Sequence, residues 1–356
     1  MRRTVLCLLG LVLATACTPG RVLQPAPTPT LTPAPARSVA PTSTLVPELQ
    51  HLAERSLVAT HHAGALVALN PRDGKVLALH SIAGSRGDPL VTLHQPGSTF
   101  KVFSAIAALE AGTIDADTTL TCNQSYPFGE LTLTCPLAHG PEDVSKALAV
   151  SCNSFFYALA EKQGPKPLHA VASAFGLGEP SGIAPDEPAG VLRDPVPDPA
   201  RPALDLADAI GHGAYYTNLL GLARAYAAIA NGGTLPTLHL SGGATPATRR
   251  VPYADTTLAL VRAALVDAVE KDYGRSYAQR IGGYVFAGKT GGVDAPGPDG
   301  SPSDTLMDSW FVAFAPPAHP TLLVAARLES VPHAGPVNAA AVVREVLLGA
   351  RALAQR

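Results

Sequence analysis

Charge is scarce in this chain of 356 residues, and aromatic rings are scarcer: Asp, Glu, Lys and Arg make up 15% of it, Phe, Trp and Tyr 5%, with a single tryptophan. The 26 basic and 28 acidic residues nearly cancel, and the basic ones never gather into a run. That excludes the phosphate-binding stripe of a nucleic-acid protein and a polybasic membrane patch. Small or uncharged partners are expected instead. No CxxC or HxxxH spacing occurs, and His61 and His62 form an isolated pair in an expected loop, so neither a metal site nor a cofactor is expected. No internal repeat stands out. The apolar stretch Val5 to Ala14 is too short to span a bilayer comfortably.

That stretch follows Arg2 and Arg3 and reads as an export signal. Ala14-Thr15-Ala16-Cys17 resembles the lipobox of bacterial lipoproteins, in which the cysteine is lipidated. Residues 1–17 are therefore expected to be a signal with Cys17 as its lipidation site, with an ordinary cleaved signal or an uncleaved anchor as the alternative. Either way an extracytoplasmic location is expected, membrane-anchored if Cys17 is lipidated. Residues 18–48 are mostly Pro, Thr and Ala with almost no charge or periodicity, which describes an extended tether that cannot bury a core. The folded domain is expected over residues 49–356.

Of five cysteines, Cys122, Cys135 and Cys152 lie in that domain. An exported domain can oxidise its thiols. Cys122 and Cys135 flank a segment with hairpin character around Gly129, and the pair is expected as a disulfide, with two free thiols as the alternative.

The order of elements is legible in outline. Residues 64–69 and 75–80, joined by a Pro and Asp-Gly turn, read as a β-hairpin. Mostly helical text follows: a helix at Ser98, then 144–150, 154–163, 221–230 and 256–269. Three strand-like runs come next, 284–289, 310–315 and 321–328, and a final helix over 337–353. Strands, helices, strands, helix describes an α/β fold of the α+β kind. Its sheet is mainly antiparallel and built from both chain ends, with an inserted helical subdomain.

Three short motifs carry chemistry. Ser98 and Lys101 stand three residues apart at the start of an apolar helix, on one face, where Pro96 and Gly97 mark the beginning. A buried ammonium costs several kcal/mol unless paired, and a lysine that gives up its proton becomes a base able to activate serine. Taken alone, a lysine snorkelling to solvent is an equal reading. Ser151-Cys152-Asn153 opens a helix, so simple capping competes with a proton relay by Ser151 and substrate holding by Asn153. Lys289-Thr290-Gly291 ends an apolar strand, where a lysine and a hydroxyl can bind a carboxylate and glycine admits a substrate backbone.

Together, in the order SxxK, SxN, KTG, these motifs resemble those of the penicillin-binding proteins and serine β-lactamases. The flanking runs His94 to Phe103, Ser151 to Tyr157, Leu222 to Gly233 and Trp310 to Pro316 resemble the transpeptidase domain of penicillin-binding proteins in particular. The resemblance extends from about Ala63 to the C-terminus. It implies a β-lactamase/transpeptidase-like fold and an acyl-serine D,D-transpeptidase or D,D-carboxypeptidase acting on peptidoglycan stem peptides and β-lactams. By resemblance Ser98 is the nucleophile and Lys101 its base. Ser151 and Lys289 pass a proton to the leaving amine, and Asn153 orients Lys101 and the substrate. Thr290 and Gly291 contact the substrate, and the N–H groups of Ser98 and Gly292 form the oxyanion hole.

One departure stands out: the family usually has Thr or Ser after KTG, and here Gly292 supplies no hydroxyl. A hydrogen bond to a charged group is worth about 1.5–3 kcal/mol, so altered substrate preference is expected. Two other functions compete. A serine β-lactamase needs a group that activates water; class A relatives use a glutamate before Leu-Asn, whereas Glu187 precedes Pro188. A non-catalytic β-lactam or peptidoglycan sensor draws its support from Gly292.

Overall fold

A computed structural model of the chain describes residues 43–183, 187–241, 247–297 and 301–356. The signal-like segment, Cys17 and the tether as far as residue 42 lie outside the described residues. The rest of the expected tether is part of the fold. Thr44 donates its N–H to Leu240 O and its hydroxyl to Val76 O, and a helix, α1 (Pro47–Val58), begins with proline in its first turn. Leu49, Ala53 and Leu57 recur every four residues on its buried face. The sequence reading did not foresee this helix.

The hairpin β1 (Gly64–Leu69) and β2 (Val76–Ile82) follows as expected. A turn of 3-10 helix over Gly97–Phe100 leads into α2 (Lys101–Glu110). Short strands β3 (Leu120–Cys122), β4 (Ser125–Phe128), β5 (Leu131–Thr134) and β6 (Gly140–Glu142) pair as β3 with β6 and β4 with β5. The helical section then comprises α3 (Val144–Val150), α4 (Asn153–Gln163), α5 (Pro165–Ala174), α6 (Leu204–Ala209) and α7 (Leu219–Ala230). After strands β7 (Thr234–Pro236) and β8 (Thr248–Arg250) comes α8 (Asp255–Glu270). The chain closes with β9 (Ala287–Pro296), β10 (Pro302–Ala315), β11 (Leu322–Pro332) and α9 (Ala339–Ala354). No helix among the described residues is long and apolar enough to cross a membrane.

The main sheet has the order β2-β1-β11-β10-β9, antiparallel throughout, with strands from both chain ends. Its middle strands are buried on both faces, so β1, β10 from Trp310 onward and β11 as far as Ala326 run apolar without alternating. In β1, Ala65, Val67 and Leu69 pack with Trp310, Phe314 and helices α2, α4 and α7. Leu66 and Ala68 pack on the opposite face with α1 and α9. Helix α2 is enclosed on all sides, from Lys101 to Ala108.

The two edges of the sheet are treated differently. At β2, Val46 donates its N–H to Leu77 O, while the Gln50 amide side chain donates to Leu79 O and accepts from Leu79 N–H. These contacts blunt that edge against strand addition. At β9 the 3-10 turn before α2 is what packs close by.

One expectation is corrected here. The Cys122–Cys135 disulfide is not formed: Cys122, Cys135 and Cys152 are free and buried. The β4–β5 hairpin between them exists. The Cys135 sulfur, however, accepts the N–H of Asn153 at 3.2 Å and lies 3.6 Å from His139 Nδ1, so it is held toward α4 and the His139 loop.

Candidate active site

Ser98 sits in the 3-10 turn, which the Lys101 N–H closes by donating to Ser98 O. The turn depends on a glycine. Gly97 has φ +56°, and a methyl group on it would stand 2.6 Å from Gly292 O and 2.9 Å from Gly292 N. The backbones of the serine turn and of β9 are thus in direct contact, with no room for a side chain. Pro96 O and Thr99 N similarly crowd Gly291. Gly97 N–H donates to Gly211 O, and Tyr226 Oη donates to Thr99 O from α7, so the turn is fixed from three sides.

Lys101 is fully buried. Its Nζ donates to Asn153 Oδ1 at 2.6 Å and to Ser151 O at 2.7 Å, and lies 3.4 Å from Ser151 Oγ and 5.7 Å from the Phe156 ring centre. Burial lowers it from the ordinary lysine value to about 7, opposed by Cys152, Cys135 and Glu142 and assisted by Arg275. A neutral amine has two N–H bonds and one lone pair. Both donors meet acceptor-only carbonyls, which leaves the lone pair to take a proton.

Ser151 is the meeting point of the two lysines. It ends α3 in the left-handed region, φ 61° and ψ 40°, which is costly for a residue with a Cβ and is found at functional turns. Lys289 Nζ reaches its Oγ at 2.8 Å and donates to Thr290 O at 3.0 Å. Burial depresses Lys289 far below the lysine value, with Lys101 and Arg275 adding to the effect. Asn153 also donates through Nδ2 to Thr134 O, which ties the β4–β5 hairpin to the site.

Lys101, Ser151, Asn153 and Lys289 are thus joined by hydrogen bonds, with the Ser98 turn seated on Gly291 and Gly292. Thr290 lies half-buried in β9, opposite Phe311. Gly292 opposes Ser309, and the Met307 terminal methyl lies 2.1 Å from where a Cβ on Gly292 would be, within the space that side chain would need.

A model of the penicillin-binding protein transpeptidase domain matches residues 64–348. The chain belongs to that family. It is similar to the peptidoglycan D,D-transpeptidase MrdA of Acinetobacter baumannii, 27% identical over 345 residues that cover 81% of this chain and 50% of that protein. It is also similar to the peptidoglycan D,D-transpeptidase PbpA of Mycolicibacterium smegmatis, 30% identical over 312 residues, 75% of this chain and 62% of that one. This transpeptidase-family chain therefore spans 50% and 62% of the length of those two relatives, less than two-thirds of either. The apo transpeptidase domain of Burkholderia pseudomallei penicillin-binding protein 3 shares the fold, with TM-score 0.78 and 24% identity over 88% of this chain and 96% of that one.

The sequence reading assigned no role to two groups near the cleft. His212, beside Gly292, is held below its ordinary value by burial and by the charge of Lys101, and Gln95 pins its loop by donating to His212 O and Gly213 O. Farther along β9 lies a buried ion cluster. Arg86 binds Asp308 in a two-pronged pair and approaches Glu329 at 3.3 Å, and Arg327 reaches both carboxylates at 2.9 Å. Burial, helped by Arg327, takes the adjacent His94 down to about 3, so the cluster balances two cations against two anions. Apart from Arg327 and Glu329 on β11, these residues come from separate segments and follow no local spacing that would betray them.

Proposed function

We propose that this domain is a penicillin-binding acyl-serine D,D-transpeptidase or D,D-carboxypeptidase that acts on peptidoglycan stem peptides outside the cytoplasm. The observation that carries the reading is the convergence of Lys101 and Lys289 on Ser151, beside the turn that bears Ser98. Ser98 Oγ attacks the carbonyl of the D-alanyl-D-alanine bond or of a β-lactam, and its proton passes to Lys101 Nζ. Negative charge gathering on the carbonyl oxygen meets the N–H groups of Ser98 and Gly292, a role supported by the direct contact of the two backbones at Gly97. Ser151, between the lysines, relays a proton to the leaving amine. The outer edge of β9, with Thr290, Gly291 and Gly292, accepts the substrate backbone as an added strand. Lipidation of Cys17 anchors the domain to the outer face of a membrane.

Glu187 favours this reading over a class A β-lactamase. It is buried, and its carboxylate accepts from Ser181 N–H, Ser181 Oγ and Asn218 Nδ2, an arrangement that secures a loop and leaves no free base for water.

The test is to incubate the protein with a fluorescent penicillin and follow the adduct by mass. A long-lived adduct on Ser98 that is absent in Lys101→Ala supports the reading. Rapid adduct loss with hydrolysed drug makes it a β-lactamase, and the absence of any adduct sinks the acyl-serine mechanism.

A further inference from the structure

The two lysines that serve Ser98 are closed off from solvent. Lys101 is fully buried, and Lys289 is buried beside it and held to Ser151. An acyl group on Ser98 has to be carried off by an acceptor that enters from outside, a water molecule or an amino group, and the acceptor must shed a proton as it attacks. We propose that His212 takes that proton, as the general base of the second half-reaction. The proposal rests on the acyl-serine reading and adds to it the residue that meets the acceptor.

The loop that carries His212 is built against the serine turn. Gly211, at φ +74°, has no room for a side chain, because a methyl group there would collide with Gly97 O. Its own carbonyl accepts the Gly97 N–H at 3.0 Å. His212 is therefore one residue from a backbone contact that is itself one residue from Ser98. The loop is pinned on its other sides. His212 N–H donates to Ala207 O at 2.9 Å, Gln95 donates to His212 O and Gly213 O, and Asp208 accepts the Ala214 N–H. A base held this firmly needs no reordering when an acceptor arrives.

Unlike the lysines, His212 is exposed. Its ring lies against β9, where the Gly292 carbonyl accepts from the imidazole. In the neutral ring that contact fixes the N–H on one nitrogen and leaves the lone pair on the other. Burial, then the charge of Lys101 on α2, hold His212 below its ordinary value of 6.5, while Asp294 and the Gly292 carbonyl on β9 raise it. The imidazole is thus uncharged at neutral pH and able to accept. Asp294, the other titratable group on this side, lies 3.3 Å from His333 Nε2.

In the step itself, the acceptor's proton passes to the free nitrogen of His212 as its oxygen or nitrogen bonds to the acyl carbon. The bond from that carbon to Ser98 Oγ then breaks. The released oxygen takes a proton from Lys101, recharged from solvent after the first leaving group has departed, and His212 returns its own proton to solvent.

The experiment acylates the full chain with a D-alanyl thioester, whose thiol departs from the cleft, and follows the Ser98 adduct by rapid-quench mass analysis. Deacylation is measured with water alone and with added D-alanine. In His212→Gln the amide still donates to Gly292 O but has no basic nitrogen, and the ratio of deacylation rate to acylation rate is expected to fall by about 10²–10⁴-fold for both acceptors. Deacylation of the parent should lose rate toward acid, below the ordinary histidine value, and that limb should be missing from His212→Gln. Imidazole added to His212→Ala should restore part of the lost rate, a response that a merely structural histidine would not give. If the glutamine variant fails to fold, the acid limb of the parent and the imidazole rescue decide. An adduct that forms but decays with an unchanged ratio for either acceptor, or a parent with no acid limb, overturns the role of His212 and leaves the acyl-serine reading standing. A parent chain that never forms an adduct overturns both.

Discussion

The terminal methyl of Met307 fills the space that a side chain on Gly292 would enter. The two residues are neighbours across β9 and β10, and the missing hydroxyl after KTG has been replaced by a methionine folded over the strand. Gly292→Thr alone must push Met307 aside, which a flexible thioether can do. Acylation by penicillin is expected to rise modestly in Gly292→Thr, and by about tenfold or more in Gly292→Thr with Met307→Ala, the worth of one hydrogen bond to a carboxylate. Stopped-flow acylation rates decide, and equal rates in all three proteins contradict a role for position 292.

The rate of acylation should depend on the protonation of Lys101. Below about 7 the amine is charged and has no lone pair, so the rate falls about tenfold per pH unit on the acid side and levels off above. Cys152, Cys135 and Glu142 raise the amine and Arg275 lowers it, with Lys289 and His212 also near. Glu142, pushed up to about 7 by burial, titrates in the same range. Glu142→Gln removes a negative charge, so the acid limb should move to lower pH. A profile flat from pH 5 to 9, a window spanning that value by about 2 units on either side, would count against Lys101 as base.

Ser151 separates chemistry from strain. Ser151→Ala and Ser151→Gly both lose the relay hydroxyl, and both should slow acylation by about 10²–10⁴-fold. Only glycine accepts φ 61° freely, so Ser151→Gly should be more stable than Ser151→Ala by about 1 kcal/mol and unfold at a higher temperature. Thermal scans of the pair check it, and the reverse order would show that the turn is unstrained.

The buried ion cluster should be all or nothing. Arg327→Met leaves Asp308 and Glu329 facing Arg86 alone and is expected to cost about 3–5 kcal/mol in urea unfolding. Adding Glu329→Gln should restore a good part of it. If the double substitution is simply additive, the two groups are uncoupled.

Much of this was readable from residues alone, and the exceptions have physical causes. Strand β1 and helix α3 fall on the expected residues because apolar runs there end at turn residues and caps: Asp143 accepts from Lys146 N–H at the start of α3. Helix α1 was hidden because its opening proline continues a proline-rich stretch, and only burial of Leu49, Ala53 and Leu57 reveals it. Strand β9 continues past KTG to Pro296, where glycines have no strand preference of their own and pairing with β10 does the work. SxxK, SxN and KTG were legible because each is local. The Cys122, Cys135, His139 and Cys152 group was not, since the fold gathers it from separate segments whose spacing matches no linear motif.

The way the chain enters the fold has a mechanical meaning. Ser43 to Val46 is laced to β2 and to Leu240, and Gln50 locks the same edge, whereas the cleft lies at β9, four strand spacings away. At about 4.8 Å per spacing, roughly 19 Å of hydrogen-bonded sheet separates the two. Tension applied to the chain ahead of Ser43 would enter the fold at β2, where it would shear the blunted edge first, at the far side of the sheet from Ser98 and its lysines.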